Sequence, residues 1–191
     1  MKLKTRLLSV LTCTMLASSL MVFPAAAEEQ TEKPGTGDAS VVYFTSDISA
    51  EGLVKIYEKL GWEPTGDVAV KISTGEPPAS NYLRPELIKD LVQKVDGTIV
   101  ECNTAYGGSR ASTAVHRQVA EDHGFTEIAD FDVLDEEGEV EWPVTGGSRL
   151  DRAIVGSHAE NYTDWIILSH FKGHSMAGFG GAKRPLDLPV A

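Results

Sequence analysis

The sequence has few cysteines and no excess of positive charge, and both shortages exclude whole classes of protein. Its 191 residues include two cysteines, Cys13 and Cys102, and no Cys-x-x-Cys pair, which excludes a thiolate zinc site or a cysteine-bound iron-sulfur cluster. Acidic residues outnumber basic ones by 28 to 17, and the formal net charge is −11. Because an acidic chain repels phosphate backbones and anionic lipid, we expect no nucleic acid partner.

Long apolar runs are also lacking, apart from one near the amino terminus. Residues 1–27 have the pattern of an export signal, with three basic residues, an apolar stretch over residues 7–23 and the small residues A-A-A at 25–27. We therefore predict cleavage of a signal peptide and export to the cell envelope, the periplasm or the extracellular space. Removing its three basic residues makes the formal charge −14 and leaves 164 residues without a stable membrane span.

Strand and helix patterns alternate three times in what remains. Residues 28–40 are polar and predict a flexible linker, and residues 41–191 predict a single α/β domain, incomplete at its carboxyl end. The predicted strands are residues 41–45, 68–72 and 98–101, and the predicted helices are residues 49–60, 85–95 and 111–123. Ser49 is the expected cap of the first helix, with Ile48 packed on Leu53 across it, and Gly61 is its expected end.

This alternation predicts a mostly parallel sheet with crossover helices. The pattern changes at residue 131, where residues 131–144 resemble a hairpin and residues 150–155 one more strand. We interpret this part as an antiparallel hairpin insertion. The apolar residues 165–168 then predict a return to the main sheet.

Polar residues follow the predicted strands, at the edge of an open parallel sheet where ligands bind. Lys71 and Lys172 each lie at or just past the end of a strand, where a partly buried amine can act as a catalytic base or an electrostatic clamp. Asn103 follows the third strand and is a candidate binding residue. The alternative for either lysine is a side chain that reaches out to solvent at the edge.

A glycine-rich loop precedes the third helix. The backbone of Gly107, Gly108 and Ser109, together with the Arg110 side chain, could hold a phosphate or a carboxylate. The loop lacks the spacing of a dinucleotide-binding or P-loop motif. A tight turn with Ser109 capping the helix is the alternative.

Two histidines, His170 and His174, lie four residues apart after the last strand and could converge on a divalent metal, with His158 or Glu101 completing the site. The alternative is that one histidine caps a strand end and the other is solvated. Cys102 is interpreted as a small buried apolar group, and His116 as a packing or capping residue.

Three stretches carry a resemblance to a known family. They are V-A-V-K-I-S at 68–73, E-C-N-T-A-Y-G-G-S-R at 101–110 and S-H-F-K-G-H-S-M-A-G-F-G-G-A at 169–182. With these stretches the chain resembles the family catalogued as domain of unknown function 362. The resemblance implies an α/β domain and, in many members, a ferredoxin-like segment with iron-sulfur clusters. This chain has no such segment, so no cluster is expected, and it ends soon after the last stretch, which we interpret as a carboxyl-terminal truncation.

These observations support a metal-binding exported enzyme that acts on a small anionic substrate, although they specify neither the metal nor the reaction. A non-catalytic module that binds a small anion through residues 107–110 is one alternative. An inactive truncated fragment is another.

Overall fold

The computed structural model of the protein describes residues 40–78, 80–174 and 178–180, and the fold lies in a unit formed by residues 42–191. Its α-helices are α1 (Ala50–Lys59), α2 (Pro85–Lys94) and α3 (Thr113–Asp122). Its strands are β1 (Val68–Lys71), β2 (Thr98–Glu101), β3 (Phe131–Val133), β4 (Glu139–Pro143), β5 (Arg152–Gly156), β6 (Asp164–Ile167), β7 (Lys172–His174) and β8 (Gly178–Gly180). Short 3-10 helices cover Phe125–Glu127 and Ser157–Asn161. Among the described residues, no helix combines the length and apolar character needed to cross a membrane.

Four strands form one parallel sheet in the order β3-β2-β1-β6. The register pairs Val70 of β1 with Ile99 of β2 on one side and with Ile166 of β6 on the other. Two antiparallel pairs, β4–β5 and β7–β8, lie outside this sheet. The predicted α/β class, with a mostly parallel sheet and an antiparallel hairpin, is confirmed.

Two strand predictions were wrong. Residues 41–45 form no strand and are mostly exposed, because strand-favouring residues form a strand only where a neighbouring strand takes up their backbone hydrogen bonds. Phe131–Val133 belongs to the parallel sheet rather than to the hairpin, since Phe131 and Val133 are both buried in the main core. The hairpin is instead made by β4 and β5.

The three helices share one face of the sheet. The steps from β1 to β2 and from β2 to β3 run in the same direction across the sheet, and crossovers of the same hand then place their helices on the same face. The core on this face joins strand residues to the helices and to Phe125; its members include Tyr57, Val70, Ile88, Leu91, Val92, Ile99, Ala120 and Val133.

The opposite face carries a smaller cluster formed by Ala69, Val100, Cys102 and Leu134. The 3-10 helix Ser157–Asn161 covers part of it, where the amide of His158 donates to the carbonyl of Leu134 at 3.0 Å. The chain therefore returns from β3 to β6 across this second face.

Local signals set the helix ends. Ser49 caps α1 as predicted, because its hydroxyl accepts a hydrogen bond from the amide of Gly52 at 3.0 Å, and Gly61 has the predicted left-handed conformation, with φ 61°. The expected packing of Ile48 on this helix was wrong, because Ile48 is 88% exposed. After α2 the residue with a positive φ is Asp96 and not Gly97. At Gly97 a Cβ atom would lie 2.6 Å from a methyl group of Val70.

Phe125 should be a main determinant of stability, because it is fully buried between the helices and the sheet. We expect Phe125→Ala to lower the free energy of unfolding by about 3–5 kcal/mol. Tyr106→Ala is the matched control, since Tyr106 is 64% exposed and should change stability by less than about 0.5 kcal/mol. Urea denaturation measures both; similar losses in the two variants would contradict the core described above.

Candidate functional site

The carboxyl ends of β1, β2 and β6 form one edge of the sheet, here called the rim. The strand order reverses between β1 and β6, because the chain steps from β1 outward to β3 and then returns to the other side of β1. Open α/β sheets bind ligands at such a reversal, outside the carboxyl ends of the strands. Lys71 ends β1, and His170 follows β6 by three residues. The rim therefore brings these two predicted site residues to the β1–β6 crevice.

Lys71 is buried at the end of β1. Its Nζ donates a hydrogen bond to the carbonyl oxygen of Ile72 at 2.7 Å, and the amide of Leu168 donates to the carbonyl of Lys71 at 2.9 Å. An ammonium group has three donors. Among the described residues one of the three has an acceptor, so the group can donate to a ligand in the crevice.

Two polar atoms after β6 are buried, and the described part of the chain offers them no partner. Ser169 Oγ and His170 Nδ1 have no hydrogen-bond partner among the described residues, and buried polar atoms are usually paired. Lys172 and His174 lie in β7, which pairs with β8, but their side chains fall outside what the structure describes.

Next to the crevice, the buried carboxylate of Glu101 connects three segments of the chain. Its Oε2 accepts hydrogen bonds from the amide and the hydroxyl of Thr74, at 2.8 and 2.6 Å. His116 of α3 approaches the same oxygen through Nε2 at 3.1 Å. Because a carboxylate only accepts hydrogen bonds when ionised, this geometry assigns the Nε2 proton to His116. The loop after β1, the end of β2 and helix α3 are thereby held together.

Arg110 pairs with two carboxylates of the chain itself. Its Nη1 donates to Glu101 Oε1 at 2.7 Å and its Nε to Glu76 Oε1 at 2.9 Å. The Arg110 side chain is only 8% exposed. Its positive charge is therefore already balanced before any ligand arrives.

The balance of charges keeps Glu101 ionised. Burial alone would raise the pKa of this carboxyl group, but the hydrogen bond from His116 and the positive charges of Lys71 and Arg110 outweigh burial and lower the pKa to about 2. Glu101 is thus a fixed negative charge at the rim across the physiological range.

The predicted glycine-rich anion loop lies beside a negative charge. A Cβ atom on Gly108, whose φ is 132°, would lie 3.5 Å from the carboxylate of Glu76. Ser109 does not cap the helix, which begins at Thr113 after Ser112. Asn103 is also engaged, because its Nδ2 donates to Thr113 Oγ1 at 2.9 Å. These contacts make the loop a support for α3.

His158 lies in a separate polar cluster at the second face of the sheet. Its Nδ1 contacts Asp132 Oδ1 at 2.8 Å and its Nε2 is 3.5 Å from Glu137 Oε2. The hydrogen bond to Asp132 raises the pKa of His158. Tyr162 donates to the other oxygen of Asp132 at 2.9 Å. Both ring nitrogens of His158 thus face carboxylates.

Cys102 is buried on the second face, and burial raises the pKa of its thiol to about 12. The thiol is protonated at neutral pH and is not a nucleophile, in agreement with its predicted role as an apolar group.

The Glu101 cluster is the part of the site that sequence reasoning did not assemble. His116 was expected to pack, and it does, edge-on against Phe131, but its polar partners were not foreseen. A signal was present, because Glu101 ends the apolar strand T-I-V-E and a buried carboxylate requires a counter-charge. Arg110, nine residues later, supplies it.

The model of the family described as domain of unknown function (DUF362) matches residues 68–186. The chain belongs to this family. The match runs from β1 through β8 and so includes every strand of both the main sheet and the two antiparallel pairs. No curated protein and no solved structure matches the chain.

Replacing the buried carboxylate tests its structural role. We expect Glu101→Gln to lower the free energy of unfolding at pH 7 by about 3 kcal/mol or more, because Arg110 loses a buried counter-charge. Since the pKa of Glu101 is lowered in the folded state, its contribution is fully present above the unfolded pKa of about 4.3. It is lost as the pH falls toward 2.

Urea denaturation at pH 7, 4 and 2.5 should therefore show the difference between wild type and Glu101→Gln shrinking at the lowest pH. Glu76→Gln is the matched control, because Glu76 contacts the same arginine but its side chain is 37% exposed. It should cost no more than about 1 kcal/mol. An equal effect of the two substitutions would contradict the assignment of Glu101 as the central charge.

Proposed function

We propose that the protein is an exported enzyme of the DUF362 family that binds a small anionic substrate together with a divalent metal ion at the β1–β6 crevice. The observation that carries the proposal is the reversal of strand order at this crevice, with Lys71 and His170 at the two carboxyl ends. A site on rigid parallel strands can hold reacting groups in fixed geometry.

The metal is proposed for His170 because its Nδ1 is buried and has no partner among the described residues. Neutral imidazole is a common ligand of zinc, copper, nickel and iron. His174, four residues later in β7, is the proposed second ligand. Among the side chains that the structure describes, no three His, Cys, Asp or Glu groups converge, so we propose that water or substrate fills the other positions, as in catalytic metal sites.

The anionic substrate is proposed because the cation of the crevice, Lys71, retains hydrogen-bond donors among the described residues. We propose that Lys172, at the start of β7, adds a second positive charge. In this arrangement the lysines orient the substrate and stabilise negative charge as it develops.

The same geometry disfavours a simple anion-binding module at residues 107–110. Arg110 already pairs with two carboxylates, and the Glu76 carboxylate lies beside Gly108. An anion there would meet a negative charge and would have to compete for the arginine.

Metal analysis of the purified full chain tests the metal proposal. We expect bound zinc, nickel or cobalt by mass spectrometry. In calorimetry with added Zn²⁺, the double variant His170→Ala/His174→Ala should have a higher Kd than wild type. The increase should exceed the roughly tenfold to hundredfold that follows from replacing a residue hydrogen-bonded to a metal ligand.

His158→Gln is the matched control, because His158 is engaged with Asp132 and Glu137 away from the crevice. It should leave Zn²⁺ affinity unchanged. Unaltered metal content in the double variant would overturn the proposal. Loss of metal in His158→Gln alone would instead place the metal site at the Asp132 cluster.

Export is proposed from the amino-terminal sequence, independently of the crevice. The basic start, the apolar stretch and A-A-A at 25–27 favour cleavage before Glu28. Intact mass measurement of protein expressed from the full gene should give a chain that begins at Glu28 outside the cytoplasm. A full-length chain retained in the cytoplasm would contradict the proposal.

A further inference from the structure

In the part of the chain that the structure describes, a strand-forming segment and one edge of the main sheet both lack partners. Residues 42–45 have the sequence V-Y-F-T, rich in the β-branched and aromatic residues that favour strands. They form no strand, and Val42 and Phe44 are 86% and 90% exposed. Ile48 is 88% exposed as well. Three large apolar side chains with this exposure indicate a surface that contacts a partner.

The open edge is the outer side of β6. This strand stands last in the sheet, and no described strand pairs with its outer side. The amides of Asp164 and Leu168 donate toward β1, so by strand alternation those of Trp165 and Ile167 point outward. An edge of this kind is a template for a further strand.

Helix α1 leaves part of its apolar surface uncovered. Tyr57 is buried in the main core, but Leu53, Val54 and Ile56 on the same helix are only half-buried. Leu53 and Val54 pack against the main core, as does the half-buried Ile166 of β6. Apolar surface on α1 and on β6 therefore remains partly uncovered on the same face of the sheet.

The topology selects this edge for residues 42–45. Helix α1 follows the segment, precedes β1 and shares its face with α2. Two crossovers of the same hand with helices on the same face must step in the same direction across the sheet. The chain moves away from β6 when it passes from β1 to β2, so a strand before α1 must lie on the β6 side of β1. The place next to β1 is already occupied by β6, which leaves the outer edge of β6.

We propose that residues 42–45 dock on the outer edge of β6 in the same chain, as a fifth parallel strand. The sheet order becomes β3-β2-β1-β6 followed by this strand. Alternation along the strand directs Val42 and Phe44 to one face, where they cover the half-buried surface of α1. The proposal does not depend on the metal.

The connection to α1 favours the same chain over a second copy. Residues 46–48 separate the segment from the helix cap at Ser49, within the usual two to six residues of a strand-helix connection. The turn is already formed, because the amide of Asp47 donates to Thr45 Oγ1 and Ser49 Oγ donates to Asp47 Oδ1, at 3.0 and 2.7 Å. The existing connection is therefore long enough for docking. Docking also brings Ser46 and Asp47 to the rim.

Amide hydrogen exchange on the full chain, read residue by residue by NMR, tests the docking. We expect alternate amides of residues 42–45 and the outward amides of Trp165 and Ile167 to exchange at least about 100-fold more slowly than an unstructured chain. Light scattering after gel filtration should give the mass of a monomer.

Substitutions on the two faces of the segment sharpen the test. Phe44→Asp should abolish protection at both the segment and the outer edge of β6, because a carboxylate would face the apolar surface of α1. Tyr43→Asp, on the opposite face, should keep it. The β1-facing amides of Asp164 and Leu168 are the internal check that both variants remain folded, since they should stay protected in both.

Two outcomes overturn the proposal. Free exchange throughout residues 42–45 in the wild-type chain would show that the segment stays undocked. Protection that appears only with a dimer mass and falls on dilution would assign the edge to the segment of a second copy, by strand exchange.

Discussion

The buried charge of Glu101 is the constraint on which the rim depends. A carboxylate removed from water is tolerated only where donors and cations replace the lost hydration, and here Thr74, His116 and Arg110 do so at 2.6–3.1 Å. Each partner comes from a different segment: the loop after β1, helix α3 and the loop before it. One requirement of local electrostatics therefore fixes the positions of the loop after β1 and of the segment that leads into α3 relative to the end of β2.

In this arrangement the residues that support the rim differ from those whose polar atoms are open to a ligand. The residues around Glu101 pair with one another, whereas Ser169 and His170, after β6, have buried polar atoms without partners among the described residues. Lys71 lies at the end of β1, between these two groups. Its charge acts on Glu101, and its amine donates to the carbonyl oxygen of Ile72. A rigid, neutralised wall next to an incompletely paired edge is the arrangement expected of a preorganised site.

The extent to which the sequence predicts this molecule differs between its parts. The repeated strand-helix pattern predicts the parallel sheet well, since β2 has its expected bounds and β1, α1 and α2 differ by a residue or two. Parallel order then follows from general rules, and it suffices to bring Lys71, Asn103 and His170 to one edge. What periodicity cannot predict is which side chains pair there, because Arg110 and Glu76 are joined by tertiary contact across 34 residues.

The errors have a common physical origin in partners outside the local sequence. Residues 41–45 have strand composition but no described neighbour, and β3 was assigned to a hairpin because a short apolar run does not reveal its pairing partner. The alternative in which Ser109 caps the helix placed the cap one turn early, since the chain uses residues 104–112 to bring Arg110 inward before α3 begins.

The buried Cys102 has a practical consequence for anyone labelling this protein. It is the only cysteine between residues 42 and 191, and a thiol with a pKa of about 12 reacts negligibly with maleimides or disulfide reagents near neutrality. A single cysteine introduced on the surface of the folded unit would therefore carry a fluorophore or spin label selectively, with the native residue left in place.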